Sequence, residues 1–152
     1  MVDWAGDDLI GYWMLFGSAF LAATILPFYS EAVLLVMLTE DRDPLTLWLV
    51  ATTGNTLGSV VNWFLGRYLL HFQSRQWFWF KPGQISMAQA WFQRRGVWSL
   101  LFAWLPVGGD ALTLIAGIMR VRLSMFLLLV AVGKGTRYVA VIAFSETTLP
   151  LG

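Results

Sequence analysis

Four ionisable side chains stand in otherwise apolar sequence: Glu31, Asp110, Lys134 and Arg137. An ionised carboxylate in hydrocarbon is expensive, so each acid must be protonated, paired with a cation or bathed by water. Lys134 and Arg137 are three residues apart, share one face of any helix that carries them, and are the obvious partners. Two uses follow. Lys134 and Arg137 could neutralise an anion while Glu31 and Asp110 carry protons, or the four could form static buried pairs that fix the bundle. Arg67, at the end of another apolar run, reads first as a cation snorkelling to an interface and second as a further ligand candidate. Pro27 precedes Glu31 by the same four residues that separate Pro106 from Asp110. Beside the second acid, Gly108 and Gly109 would expose backbone N–H groups at a helix start, a setting that favours phosphate.

Composition says where such chemistry would happen. The chain of 152 residues is 58% hydrophobic and 12% charged, with 9 Trp, about half the charge of a typical soluble domain. It is expected to be an integral membrane protein with a single membrane domain over 1–152. It contains no Cys and one His, which excludes disulfides, thiolate metal sites, a cysteine nucleophile and a histidine cluster supplied by one chain. No metal, cofactor, enzyme motif or polybasic tract for nucleic acid is found. Asp3, Asp7 and Asp8 precede the first apolar run with no Lys or Arg, the reverse of a signal peptide, so that run is expected to be retained.

The elements that must position these residues are read as helices. Residues 9–39 form a proline-broken apolar unit. Its first leg, Leu9 to Leu26, could just cross a hydrocarbon layer of about 30 Å, whereas the return leg from Ala32 to Thr39 reaches only about 12 Å. Leu45 to Leu70 is a transmembrane helix with Gly54, Gly58, Asn62 and Gly66 at strict four-residue spacing. Such a small-residue stripe admits another helix closely. Packing within the chain is the first use for it, and a homodimer seam the second. Asn55 and Asn62 should face protein or a wet cavity. Residues 71–96 are the polar stretch, in which Gln84 to Arg95 puts Ile85, Ala88, Trp91 and Phe92 on one face, as in a helix lying on a membrane surface. Trp77 to Phe80 are interfacial anchors, and His71 lies beside them. Residues 97–119 repeat the proline-broken unit, with neither leg long enough to span, and 123–144 is the second transmembrane helix.

If both broken units are re-entrant hairpins, charge sorts by side. Arg75, Lys81, Arg94, Arg95, Arg120 and Arg122 fall on one side and only Arg42 on the other. The positive-inside rule then puts both termini outside. One crossing separates the hairpins, so they enter from opposite faces. The expected fold is all-α, an inverted repeat of re-entrant hairpin plus transmembrane helix with an interfacial amphipathic helix between the halves. Broken segments at matching positions in two halves point to a transport site near the midplane. Each spanning helix also carries an Arg-Tyr pair, Arg67-Tyr68 and Arg137-Tyr138.

The segments LPFYSEAVL, GNTLGSVVNWFLGRY, FAWLPVGGDALTLIAGIMRV and GKGTRY, in order over residues 17 to 140, resemble the DedA family of bacterial membrane proteins, the VTT or SNARE-associated group, in its short YqaA-like branch. The resemblance implies the inverted-repeat fold, location in the bacterial inner membrane, and activity as a translocase of polyprenyl phosphate or phospholipid, coupled to protons. By it, membrane lipids with an anionic phosphate headgroup are the partners. Glu31 matches the acid after the first hairpin proline, Arg120 the basic position after the second hairpin, and Arg137 with Tyr138 the terminal signature. One departure stands out: many family members carry arginines where this chain has Ala103 and Gly109. A proton-coupled small-molecule or ion transporter and a non-transport assembly or envelope-stress factor are the alternative functions.

Overall fold

The computed structural model describes residues 4–24, 29–68, 82–105 and 108–148. The expectations for Pro27, Pro106 and residues 71–81, His71 and the aromatic anchors included, fall outside these. The described residues are helical, with no strand among them: α1 (Trp4–Ala22), α2 (Tyr29–Thr39), α3 (Pro44–Tyr68), α4 (Pro82–Arg95), a 3-10 segment (Gly96–Phe102), α5 (Gly109–Ile118) and α6 (Leu123–Thr148).

Helix α1 begins five residues before its apolar run. Asp7 lies in its first turn, where a carboxylate complements the helix dipole, so the acids extend the helix rather than bound it. Its other end closes at Thr24, whose N–H and hydroxyl both donate to Leu21 O. Helix α2 then runs back along α1. Arg42 lies just past its end, 3.0 Å from Asp8 Oδ1 and donating to Asp8 O, so the chain returns to the level at which α1 began. Asp43 caps α3, accepting from Thr46 N at 2.9 Å and Thr46 Oγ1 at 2.6 Å. Pro44 fits the next position because a first-turn N–H has no partner to lose.

The central α3 touches α1, α5 and α6. Its glycine stripe is occupied inside the chain. A Cβ at Gly54 would stand 2.6 Å from Phe16 O, one at Gly58 would strike Phe20 O, and one at Gly66 would strike Leu114 O. Asn62 Nδ2 donates to Ala23 O at 2.9 Å. Facing Gly66, Gly117 of α5 lies so near Trp63 O that it too has no room for a side chain. The stripe therefore seats α1 and α5 on α3 and is not open to a second copy.

Helices α3 and α6 run antiparallel, clipped by Trp48 Nε1 donating to Gly135 O at one end and Trp63 Nε1 donating to Val121 O just before α6 at the other. Two hydrophobic cores form, and α3 and α6 contribute to both: Leu15, Ala19, Leu34, Met37, Leu47 and Ala51 with Tyr138, and Trp63, Phe92, Leu100, Leu114, Ile115, Phe126 and Val130. The α1–α2 unit leads into the N-terminus of α3 and the 3-10–α5 unit into that of α6, so the two units join this antiparallel pair at opposite ends.

Three expectations change. The first leg of the second unit is a seven-residue 3-10 segment beginning at Gly96, whose φ is +62°; Gly133 leaves α6 bare where this segment's Leu101 O lies against it. The apolar face of α4 does not wait for a membrane surface. Ala88 and Phe92 are buried, and Ile85 and Trp91 pack on the second core, because α5 and the 3-10 segment present an apolar surface to it. Finally, α6 is the one helix among the described residues long and apolar enough to cross a membrane. At 25 residues α3 has the length, about 37 Å, but its buried Thr52, Asn55, Thr56, Ser59 and Asn62 dilute its apolar character.

Candidate functional site

Lys134 and Arg137 stand one turn apart on α6, and each receives an acid from the first turn of a short helix. Asp110 begins α5 and Glu31 begins α2. At both positions unpaired N–H groups and the helix dipole favour a carboxylate. The turn into α5 needs its glycines: Gly108 has φ +83° as the residue before the helix, and a Cβ at Gly109 would meet Ala103 O at 2.6 Å.

The pairing is one to one. Lys134 Nζ lies 2.6 Å from Asp110 Oδ1, with the lysine side chain 2% exposed and the aspartate 25%. Arg137 Nε donates to Glu31 Oε1 at 2.5 Å, and its Nη1 donates to Trp104 O at 3.1 Å. The pairs differ in access. Glu31 and Arg137 line an open cleft of about 510 Å³ whose remaining wall includes Leu35, Trp104, Ala140, Val141 and Phe144. Lys134 does not reach this cleft. The arrangement has one ion pair lining an apolar cleft and a second, one helical turn away on α6, whose lysine is buried and whose aspartate is a quarter exposed.

Next to Arg137, Tyr138 turns the other way and is 1% exposed. Asn55 Nδ2 donates to its hydroxyl at 2.9 Å, and Ser30 Oγ lies 2.9 Å away on the other side. With the Asn55 donor accepted, the tyrosine has its own proton to give Ser30. This bridge ties α2, α3 and α6 together beside the Glu31–Arg137 pair. Asn55 in an apolar helix and the Arg-Tyr pair were signals for it. Nothing in the sequence singled out Ser30.

Two groups of predicted residues lie apart from the cluster. Arg67 stacks on Trp63, 5.2 Å from the ring centre, and its Nε donates to Tyr68 Oη. It stands about 18 Å along α3 from Asn55, so the structure does not bring it to Glu31 or Asp110. Gly108 and Gly109 are packed against Met87 and Ala103 O respectively, and the nearest anion to the start of α5 is its own Asp110. Ala103 itself is 1% exposed, which leaves no space there for an arginine.

The VTT domain family matches residues 4–147. The chain is 39% identical over 138 residues to the protein named inner membrane protein YqaA of Escherichia coli K12, covering 90% of this chain and 92% of that one. The Shigella flexneri protein of the same name matches to the same extent. An uncharacterized protein of Haemophilus influenzae is 34% identical over 154 residues, covering 96% of this chain and 92% of the relative. No solved structure matches. The chain belongs to the VTT-domain family, the DedA proteins.

Proposed function

We propose that this chain is a proton-coupled lipid translocase of the bacterial inner membrane, in which Arg137 exchanges the carboxylate of Glu31 for the phosphate of a lipid headgroup. The observation that carries the reading is the Glu31–Arg137 pair at the wall of an apolar cleft of about 510 Å³. A headgroup phosphate would meet the guanidinium, and acyl or prenyl carbons would lie along Leu35, Val141 and Phe144. Arg137 suits this because its planar fork presents several donors to an oxyanion and stays charged.

Charge counting gives the coupling. The four groups sum to zero when all are ionised. Entry of one negative phosphate leaves a net negative charge in a poorly hydrated site, which one proton on Glu31 cancels. Release of the lipid frees Arg137 to take Glu31 back and expel the proton. One proton would thus accompany each phosphate charge. Asp110 and Lys134 remain paired throughout and hold the site neutral from behind.

In this reading the α1–α2 and 3-10–α5 units are re-entrant hairpins of an inverted repeat, and α3 and α6 cross the membrane. Support comes from entry of the units at opposite ends of the α3/α6 pair and from their short return helices, about 16 Å and 15 Å long. The excess of Lys and Arg on one side of that arrangement puts both termini outside. Reconstituted protein tests the function. Glu31→Gln should bind phosphate lipid with no proton uptake and lose the response of lipid movement to a pH gradient, while Arg137→Gln should lose binding. Failure of the unmodified protein to move labelled phospholipid or polyprenyl phosphate, with or without a gradient, would refute the proposal.

A further inference from the structure

The polar face of α3 is not accounted for by the ion pairs. Thr52, Asn55, Thr56, Ser59 and Asn62 fall within an arc of about 120° and a length of about 15 Å. They are 8%, 4%, 7%, 0% and 0% exposed. Four oxygens among them, Thr52 Oγ1, Asn55 Oδ1, Thr56 Oγ1 and Asn62 Oδ1, have no hydrogen-bond partner among the described residues. Buried polar atoms are nearly always matched, and each one left over calls for an explanation. Side-chain amide assignment does not remove the problem at Asn62. Its Nδ2 points at Ala23 O, which can only accept, so its Oδ1 must be the atom left over.

These oxygens all lack a donor. Two are amide carbonyls that only accept, and two are hydroxyls that can do either. Water meets that need and is held where two to four polar groups converge. Thr52, Asn55 and Thr56 lie within about 6 Å of helix rise, and Thr52 also borders a cleft of about 420 Å³ between α3 and α6. Further along, Asn62 adjoins Thr113, to whose Oγ1 its Nδ2 donates at 3.2 Å.

We propose that this face of α3 holds bound water at two stations, one at Thr52, Asn55 and Thr56 and one at Asn62, and that the seam they form joins the two ion pairs. At one end Asn55 reaches Ser30, the neighbour of Glu31, through Tyr138. At the other, Thr113 stands three residues after Asp110 and donates to Asp110 O. Ser59, whose Oγ donates to Asn55 O, lies between the stations. The hydration stands on the unmatched oxygens alone. Its use as a proton route rests on the proton-coupled reading above.

Water-edited NMR on the full chain in lipid nanodiscs tests the seam. Magnetisation from water should reach the Thr52 and Thr56 methyl groups and the Asn55 and Asn62 amides at rates several-fold above Leu114 and Val130, which are fully buried. Rates equal to those of Leu114 and Val130 would overturn it. Thr56→Val should lower the melting temperature by a few degrees, with Thr56→Ser restoring it, because a water loses a partner. A higher melting temperature in Thr56→Val would mark the hydroxyl as dry and overturn the proposal, as would stabilisation by sodium without any water contact. In proteoliposomes Thr56→Val should weaken the pH-gradient response about tenfold while movement without a gradient persists. Unmodified protein that keeps the water contacts but moves no lipid would sink the translocase reading and leave the hydrated seam standing.

Discussion

Asp110→Asn should destabilise the protein more than Lys134→Gln, and the double change should cost less than either alone. Removing one member of a buried ion pair costs about 3–5 kcal/mol, because a charge is left in low dielectric without its partner. Lys134 is 2% exposed, so Asp110→Asn leaves an ammonium with almost no water, toward the upper end of that range. Lys134→Gln leaves a carboxylate that is a quarter exposed and held at the start of α5, where the helix dipole returns about 0.3–1 kcal/mol. A loss of about 2–3 kcal/mol is expected there. The double change removes both charges and should recover most of the loss. At about 2–4 °C per kcal/mol for a chain of this size, the aspartate change should lower the melting point by about 8–20 °C and the lysine change by about 4–12 °C. Thermal unfolding of detergent-purified protein followed by circular dichroism gives all three values. Additive losses, or Lys134→Gln as the worse of the two, would refute the reasoning.

The small residues of α1 and α3 predict opposite signs for the same substitution. Gly58→Ala should cost about 1–3 kcal/mol, since the added methyl meets backbone at Phe20 O. Gly17→Ala on α1, with nothing within 4 Å of the added carbon, should gain about 0.5–1 kcal/mol; equal shifts in melting temperature would contradict this. Tyr138→Phe strands the Asn55 donor and should cost about 1–3 kcal/mol, read by the same unfolding curves. The cap on α3 sets a pH dependence. The Thr46 hydroxyl, then its N–H, holds the Asp43 carboxyl below its ordinary value of 3.8. A carboxyl lowered on folding stabilises above its unfolded pKa and loses that contribution as pH falls through the folded one. The protection factor of the Thr46 amide should therefore fall in that acid range in the native chain, and already be low at neutral pH in Asp43→Ala; protection unchanged in Asp43→Ala would contradict the cap.

The long helices were legible to within a few residues at most of their ends. The apolar run over 123–144 became Leu123–Thr148 and that over 45–70 became Pro44–Tyr68, because a largely apolar stretch of that length without proline suits a helix that satisfies its own backbone. The four charged residues were legible as an isolated set, since their cost in apolar surroundings is visible in composition alone. Which acid meets which cation was not. Lys134 and Arg137 share a face, and either could have taken Asp110 until the long-range packing of α2 and α5 on α6 was known. Arg67 shares with Arg137 the tyrosine that follows it, but its place at the end of a helix already favoured an interfacial role. It is separated by the antiparallel run of α3 against α6, which carries the matching ends of the two helices apart. The apolar face of α4 gave a correct pattern and a wrong partner, since periodicity tells that a face is buried and not what buries it. The 3-10 segment had no signal beyond Gly96, the glycine that begins it. Ser30 was invisible because a serine at a helix start is ordinary, and only the position of Tyr138 gives it a task.

The most direct measurement is simultaneous recording of proton uptake and headgroup movement in proteoliposomes that hold the unmodified chain and a single labelled phosphate lipid. One proton should cross with each phosphate charge, and the ratio should fall to zero in Glu31→Gln. Lipid movement with no accompanying proton, or a ratio unchanged by Glu31→Gln, would contradict exchange at Arg137 as the coupling step.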